Sequence, residues 1–436
     1  MMITTEDSGP DKKESVPVES LANVLRSESR DTALYALATV IVQAGAFILL
    51  PLCWRRLTPH DYGIIAVVEV IGAFLSVLVG FSLDSAITRF YNEWNEQERP
   101  GKVGSVWIAG WLASLVLSAL AMLILSRWIN VVFREVSFFP NVFIGIIGMT
   151  FVGLSNIPSA VIRMRRSPKL FMGTRILQFS LSATFTITLV VVLNKGVFGY
   201  FLASALANGL MVLYYTGCLF RWTRPCYNKP ALVESLHFSL PQIPAALLSS
   251  ASAILDRTLL QRFVSLDVLG IYSLAMKFAA LISVLHYTLK LSFVPFVCRS
   301  VAKDGPGKAL ITQMTKYYIF VLFLGGTVIS LFIGPFVAII NRPAYFPVVG
   351  IVPPLVAVVL FNSLYAYYCL GFFLSKRTGL QVIPAVIQLF CIVGLGFTLV
   401  QYFAMPGMIL AKALASIVFS AVSIFISIRI YKITYD

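Results

Sequence analysis

The sequence predicts an all-α polytopic membrane protein with about twelve transmembrane helices in two six-helix lobes. Hydrophobic residues make up 58% of the 436-residue chain and charged residues only 12%, whereas about 25% of a typical soluble domain is charged. The mean hydropathy is +0.86. Apolar windows of about 20 residues, which is the length of a helix that crosses a bilayer, recur along the chain. These observations favour membrane spans over soluble domains.

The predicted spans fall into two sets of six. The first set lies near 32–52, 62–83, 104–126, 138–162, 172–193 and 197–220, and the second near 238–261, 268–297, 316–340, 347–371, 379–402 and 406–430. The most polar interior break follows the sixth span. We therefore expect a cytoplasmic tail at 1–31, an N-terminal lobe at 32–220, a cytoplasmic linker at 221–237 and a C-terminal lobe at 238–436.

The distribution of lysine and arginine predicts the orientation of these spans. If the N-terminus is cytoplasmic, the inner segments hold 22 lysines and arginines and the outer loops hold 7. Basic residues accumulate on the cytoplasmic side of membrane proteins. Both termini are therefore expected in the cytoplasm, and the net charge of +15 reflects orientation and not nucleic-acid binding.

Cysteine and histidine give no sign of a disulfide framework or a metal site. The six cysteines are scattered without a CxxC motif, and the three histidines, His60, His237 and His286, are equally dispersed. Disulfide frameworks and zinc sites need characteristic spacings that this chain lacks. We expect no metal and no cofactor.

An internal repeat is consistent with two lobes. A shift of 207 residues aligns RRLTPHDYGIIA (55–66) with RFVSLDVLGIYS (262–273), so that Gly63 meets Gly270 and the second span overlays the eighth. The identity between the two segments is low. Because the shift spans six helices, the two halves would share one orientation, as in transporters built from parallel repeats.

Two stretches of the chain carry recognisable motifs. In 48–94 they are a Leu-Pro at the end of the first span, Arg-x-Leu-Thr-Pro-x-x-Tyr-Gly, and Leu-Asp-x-Ala-x-x-Arg-Phe. In 238–283 they are Leu-Pro-x-x-Pro, Asp-Arg and Leu-Gly-Ile-Tyr-Ser-Leu. These stretches resemble the polysaccharide flippase branch of the multidrug/oligosaccharidyl-lipid/polysaccharide (MOP) exporter superfamily. Together they cover roughly a fifth of the chain, and hydropathy matches a twelve-span pattern over the rest.

The resemblance implies a V-shaped pair of six-helix lobes around a cationic cavity in the inner membrane. Such proteins flip a sugar chain that is attached through pyrophosphate to a polyprenol, by alternating access and often with a proton or sodium gradient. Polysaccharide polymerases and glycosyltransferases are the expected neighbours. A lipid II flippase usually has fourteen spans, so a twelve-span chain argues against that role.

Charges within apolar spans mark the candidate substrate-binding residues, because such charges usually face a cavity or a partner. Lys277 lies nine residues into the eighth span, near the midplane, where it would attract a pyrophosphate or form an internal ion pair. Arg175 and Lys412 lie nearer the ends of their spans, where snorkelling competes with substrate capture. Arg89 and Lys290 lie at cytoplasmic ends and are candidates for an entrance that meets the anionic headgroup.

Acidic residues and their neighbours are the candidate coupling or gating residues. Glu69 would pair with a lysine or bind a proton or sodium ion. Asp256 and Arg257 lie near the outer end of the seventh span, and Asp84 near the inner end of the second, as Arg89 does. Neighbouring helix positions point about 100° apart, so we expect Asp256 and Arg257 to pair with other residues and not with each other. These residues would then either form a gate between the lobes or have a static role in helix packing.

Four polar residues within the spans are candidate contacts for sugar hydroxyl groups or, alternatively, interhelical hydrogen bonds. They are Gln43, Asn208, Asn362 and Gln388.

Three other functions compete with flipping of a lipid-linked oligosaccharide. A multidrug antiporter of the same superfamily would favour an acidic cavity for cationic drugs, whereas the deep charges here are mostly basic, which suits phosphate. A membrane glycosyltransferase or polymerase would need an aqueous loop with clustered carboxylates, and the loops are too short. An ion channel would need a pore-loop signature such as TVGYG, which is absent from the sequence.

Overall fold

The computed structural model describes residues 41–430 except 43, 44, 46, 48, 134, 166, 225, 302–305, 369–379 and 381. Its described part is all-helical, and we number the helices along the chain. They are α1 Pro59–Gly80, α2 Leu83–Phe90, α3 Arg99–Val132, α4 Phe143–Met164, α5 Pro168–Thr186, α6 Gly196–Trp222, α7 Lys229–Ser239, α8 Ile243–Phe263, α9 Leu266–Val301, α10 Pro306–Ile340, α11 Pro347–Tyr368 and α12 Val382–Ile430.

Nine helical segments within the described residues are long and apolar enough to cross a membrane. The polytopic all-α prediction is thereby confirmed. Residues 1–40 and 431–436 lie outside the described part, so the total of twelve spans and the cytoplasmic termini stay predictions.

Helix α12 contains the last two predicted spans, with a turn between them. Ala404 has φ 50° and ψ −130°, which is outside the helical region. A Cβ on Gly407 would overlap the carbonyl group of Leu399. In a continuous helix, residues eight positions apart lie about 12 Å apart along the axis. The chain therefore turns at Ala404, close to the predicted boundary between 402 and 406.

Two short helices stand outside the predicted spans. Helix α2 directly follows α1, and α7 lies within the predicted linker at 221–237 and extends past it. The side chain of Asn228 caps α7 by accepting a hydrogen bond from the Ala231 amide at 3.0 Å. The α7 helix packs against α2 and the start of α3. The predicted linker thus contains a helix, which is only 11 residues long and too polar to stand out between apolar spans.

Helices α1–α7 and α8–α12 pack largely within their own groups, and the principal contact between the groups is α1 against α9. Its closest approach involves the two glycines that the 207-residue shift aligns. A Cβ on Gly63 would overlap the Leu266 carbonyl oxygen, and a Cβ on Gly270 would overlap the Pro59 carbonyl oxygen. The same shift relates Pro59 to Leu266. The contact is reciprocal, as in a two-fold interface.

Further contacts at the same end of the molecule join the two groups. His60 Nδ1 lies 3.8 Å from Asp267 Oδ2, and these residues are also 207 positions apart. Tyr345 stacks on Trp54 with 4.7 Å between ring centroids. Its hydroxyl group donates a 2.5 Å hydrogen bond to the Leu57 carbonyl. The positive-inside pattern predicts that this closed end faces outward.

Candidate functional site

An ion pair joins the two helix groups within their membrane-spanning part. Lys277 Nζ on α9 donates to Glu69 Oε1 on α1 at 2.9 Å, and the Tyr200 hydroxyl on α6 donates to the same oxygen at 2.9 Å. The Lys277 ammonium also lies 6.0 Å from the centre of the Tyr200 ring. Lys277 thus has the acidic partner that the sequence analysis considered for it.

The Glu69–Lys277 pair is accessible. About 30% of each side chain is exposed, 31% for Lys277 and 30% for Glu69. Because the Lys277 side chain is partly exposed, another anion can replace the Glu69 carboxylate as its partner without local unfolding. Its position between two helix groups also means that this exchange would change a contact between them.

A second carboxylate has the same types of partner but is sealed. Lys412 Nζ donates to Asp256 Oδ2 at 2.5 Å, and the Tyr272 hydroxyl donates to that oxygen at 3.2 Å. Only 1% of the Asp256 side chain and 14% of the Lys412 side chain is exposed. This cluster lies entirely within α8–α12, so in this structure it does not bridge the two groups.

The prediction that Asp256 and Arg257 avoid each other is wrong. Arg257 Nη1 donates to Asp256 Oδ1 at 3.1 Å and to the Ala253 carbonyl at 3.2 Å. The long arginine side chain folds back along its own helix, so the 100° between the Cβ directions does not separate the charged ends. Asp256 therefore faces two cations.

Arg89 and Asp84, two of the candidates predicted at cytoplasmic ends, belong to α2, which contributes no residue to these two clusters. Arg89 pairs with Glu93, one turn further along the chain, so the described structure does not bring it to Asp84. Asp84 lies in the first turn of α2. Lys290 belongs to α9, but its side chain lies outside the described part.

Arg175 lies between α4 and α5. Its Nη2 donates to Ser159 Oγ at 3.4 Å and its Nη1 to Gln178 Oε1 at 3.2 Å. The guanidinium lies 5.1 Å from the centre of the Phe171 ring. A second arginine, Arg163, donates to the same Ser159 oxygen at 3.4 Å. The convergence of Arg163 and Arg175 is not visible in the sequence, because no spacing rule relates the two residues.

The polar residues within the spans make interhelical hydrogen bonds. Gln178 Nε2 donates to Asn208 Oδ1 at 3.0 Å, and Gln388 Nε2 donates to Asn362 Oδ1 at 2.8 Å. Asn362 in turn donates to Ser416 at 2.9 Å. Gln43 lies outside the described residues. These contacts match the interhelical alternative, and contact with sugar hydroxyl groups stays a prediction.

No group of three or more metal-ligating side chains occurs among the residues that the structure describes. The positive charges near Glu69 and Asp256 are instead lysine and arginine side chains. The Glu69–Lys277–Tyr200 cluster is accessible and bridges the helix groups, and it is our candidate functional site.

The Polysaccharide biosynthesis protein family matches residues 29–301, which is more than half of the chain and includes Glu69, Lys277 and Tyr200. The chain belongs to this family. A curated relative is the Lsg locus putative protein 1 of Haemophilus influenzae, which is 20% identical over 304 residues, covering 68% of this chain and 71% of the relative.

Solved structures place this family member in the MOP fold. The lipid II flippase MurJ in an inward closed conformation matches with a TM-score of 0.73 and 14% identity, covering 91% of this chain and 87% of MurJ. An inward-facing multidrug MATE transporter of the MOP superfamily matches with a TM-score of 0.70 and 14% identity, covering 91% and 98%. At such identities the likeness concerns the fold alone.

Proposed function

We propose that this family member is a secondary transporter that flips polyprenyl-pyrophosphate-linked oligosaccharide across the inner membrane for polysaccharide biosynthesis. The family and the MOP fold support a transport role in place of an enzymatic one. The observation that carries the proposal is the accessible Glu69–Lys277 ion pair between the two helix groups.

In this proposal the pyrophosphate of the substrate competes with Glu69 for Lys277. A lysine ammonium is a compact point charge that binds phosphate readily. When phosphate takes the lysine, the contact between α1 and α9 loses its ion pair, and Glu69 is left to acquire a proton or a sodium ion. Substrate binding is then linked to the relative movement of the two groups, because the ligand stabilises the arrangement in which the pair is open.

A multidrug antiporter of the same superfamily is the alternative function. A cationic drug needs an available carboxylate, and Glu69 and Asp256 each hold a lysine. Release of either carboxylate would therefore first require breaking an ion pair. The cation-rich arrangement favours an anionic substrate.

The test is flipping of a fluorescent undecaprenyl-pyrophosphate oligosaccharide in proteoliposomes. We expect wild type to flip it, and Lys277→Ala to reduce the rate roughly tenfold or more, since a charge-assisted contact is worth about 1.5–3 kcal/mol. Lys102→Ala is the matched control, because Lys102 forms a comparable 2.8 Å pair with Glu98 outside the predicted spans. It should flip at the wild-type rate.

Two further results test the coupling role of Glu69 and distinguish a flippase from a multidrug antiporter. Glu69→Gln should keep substrate binding and lose the response to an imposed proton or sodium gradient. If folded wild type moves no pyrophosphate-linked lipid but exports cationic dyes in a Glu69-dependent way, the flippase proposal fails and the antiporter reading takes its place.

A further inference from the structure

Two arginines on adjacent helices converge on one buried serine. Arg163 Nη1 from the last turn of α4 and Arg175 Nη2 from α5 are each 3.4 Å from Ser159 Oγ, so the two nitrogens are at most twice that distance apart. Ser159 is 5% exposed. Arginine stays protonated in proteins, so two positive charges persist here side by side.

Neither charge is neutralised within the described part of the chain. No carboxylate there forms an ion pair with Arg163 or Arg175, although seven other ion pairs occur. Both arginine side chains are partly exposed. A pair of guanidinium groups that repel each other is stabilised by an anion bound between them.

The surrounding residues hold Arg175 in place for such a ligand. Phe171 lies under the guanidinium at 5.1 Å, and Gln178 accepts a hydrogen bond from its Nη1 at 3.2 Å. Gln178 is itself fixed by Asn208 at 3.0 Å. An arginine that is already oriented loses less conformational freedom when a ligand binds.

We propose that Arg163 and Arg175 form a second anion site, which binds the phosphate of a membrane-lipid headgroup. Arginine matches phosphate oxygens with paired hydrogen bonds. The position suits a lipid, because Arg175 lies seven residues, about 10 Å along the axis, from the start of α5, which the charge pattern places at the cytoplasmic surface. The headgroup belongs to the pyrophosphate-linked substrate, as the proposed function requires, or to an anionic phospholipid.

Lipid binding to the purified protein tests this site by native mass spectrometry. The probes are undecaprenyl pyrophosphate and phosphatidylglycerol, with inorganic pyrophosphate as a soluble competitor. Arg163→Gln and Arg175→Gln should each weaken lipid binding roughly tenfold, as expected for the loss of one charge-assisted contact. Arg221→Gln removes the same charge from an exposed residue at the end of α6 and should change binding less than twofold.

The pattern of binding identifies the headgroup. Arginine-dependent binding of undecaprenyl pyrophosphate alone supports a substrate subsite, and arginine-dependent binding of both lipids supports a general headgroup site. Equal lipid binding by Arg163→Gln, Arg175→Gln and Arg221→Gln overturns the proposal.

Ser159→Ala covers the case in which an arginine variant fails to fold. This variant keeps both arginine charges, so we expect folded Ser159→Ala to bind lipid as wild type does. Loss of lipid binding by folded Ser159→Ala would overturn the proposal that the two charges form the site. Transport is not measured in this experiment. A protein that binds lipid phosphate through these arginines but flips nothing would refute the proposed function and leave this inference standing.

Discussion

A carboxylate that holds a lysine ammonium and a tyrosine hydroxyl occurs twice in the membrane part, at Glu69 and at Asp256. The chemistry is the same and the access differs, with 30% of the Glu69 side chain exposed and 1% of Asp256. A sealed ion pair cannot exchange partners quickly. We therefore propose ligand exchange at Glu69 and Lys277. The gating role of Asp256 and the substrate-binding role of Lys412 stay predictions, and a structural role is the alternative that the burial favours.

Asp256→Ala should destabilise the protein strongly, by about 3–5 kcal/mol, because it leaves the Lys412 ammonium buried without its carboxylate. Thermal unfolding in detergent measures this. The double variant Asp256→Ala/Lys412→Ala should recover part of the loss, since no unpaired lysine remains. Equal stability of Asp256→Ala and wild type would show that the cluster is not structural.

At the scale of elements, the turn within α12 separates two spans through a single unusual residue. Ala404 adopts a positive φ of 50°, a region that glycine occupies at little cost and that side chains disfavour. Pro406 follows two residues later, where it cannot continue a helical hydrogen bond to the preceding turn. The turn therefore depends on backbone conformation at one position.

Ala404→Gly should raise the melting temperature by a few degrees, since relief of the positive φ is worth about 1–3 kcal/mol and outweighs the roughly 0.4–1 kcal/mol that glycine costs through the unfolded chain. Ala404→Val should lower it, because a β-branched residue tolerates this conformation least. Calorimetric or fluorescence-monitored unfolding in detergent distinguishes them. The opposite order of stabilities would mean that the turn does not have this conformation.

At the scale of the whole molecule, the closed end relies on two reciprocal glycine contacts. Gly63 and Gly270 allow α1 and α9 to touch through their backbones. Opening this end requires the two helices to part, and closing it requires both positions to stay without a side chain. The predicted outward opening of the transporter is thus controlled where the repeat-related residues meet.

Gly63→Ala and Gly270→Ala should each hold the two helix groups apart at this end. Spin labels on α1 and α9 should report a longer distance than in wild type, and flipping should fall because the closed state is disfavoured. Gly350→Ala is the control, since a Cβ there meets nothing within 4 Å. Unchanged distances in both interface variants would contradict a close-packed gate.

The sequence predicted most of the spans because apolar windows are set by the bilayer, whatever the neighbours. The break near Ala404 and the 207-residue repeat were also visible in the sequence. The repeat was visible because Gly63 and Gly270 lie in similar local sequences. The partners of the charges were less accessible to sequence reasoning. Lys412 and Asp256 are 156 positions apart, and nothing local to either residue indicates the other.

The convergence of Arg163 and Arg175 was missed for a related reason. Arg163 belongs to a basic segment that the charge pattern predicts to be cytoplasmic, and its distance from Arg175 depends on how α4 packs against α5. The contact of Arg257 with Asp256 was also not predicted. The long arginine side chain reaches its neighbour although the two Cβ directions differ by about 100°.

The burial of Asp256 also constrains how the chain is assembled during synthesis. A charged residue costs about 2.5–3.5 kcal/mol at the centre of an inserting helix, and less toward the end, where Asp256 is predicted to lie. Lys412 emerges 156 residues after Asp256, which is on the order of ten seconds or more of chain growth at about 5–20 residues per second. Until then Arg257, on the same helix, is the counter-charge at hand. We therefore expect Arg257 to offset part of the insertion cost of Asp256 until Lys412 is available.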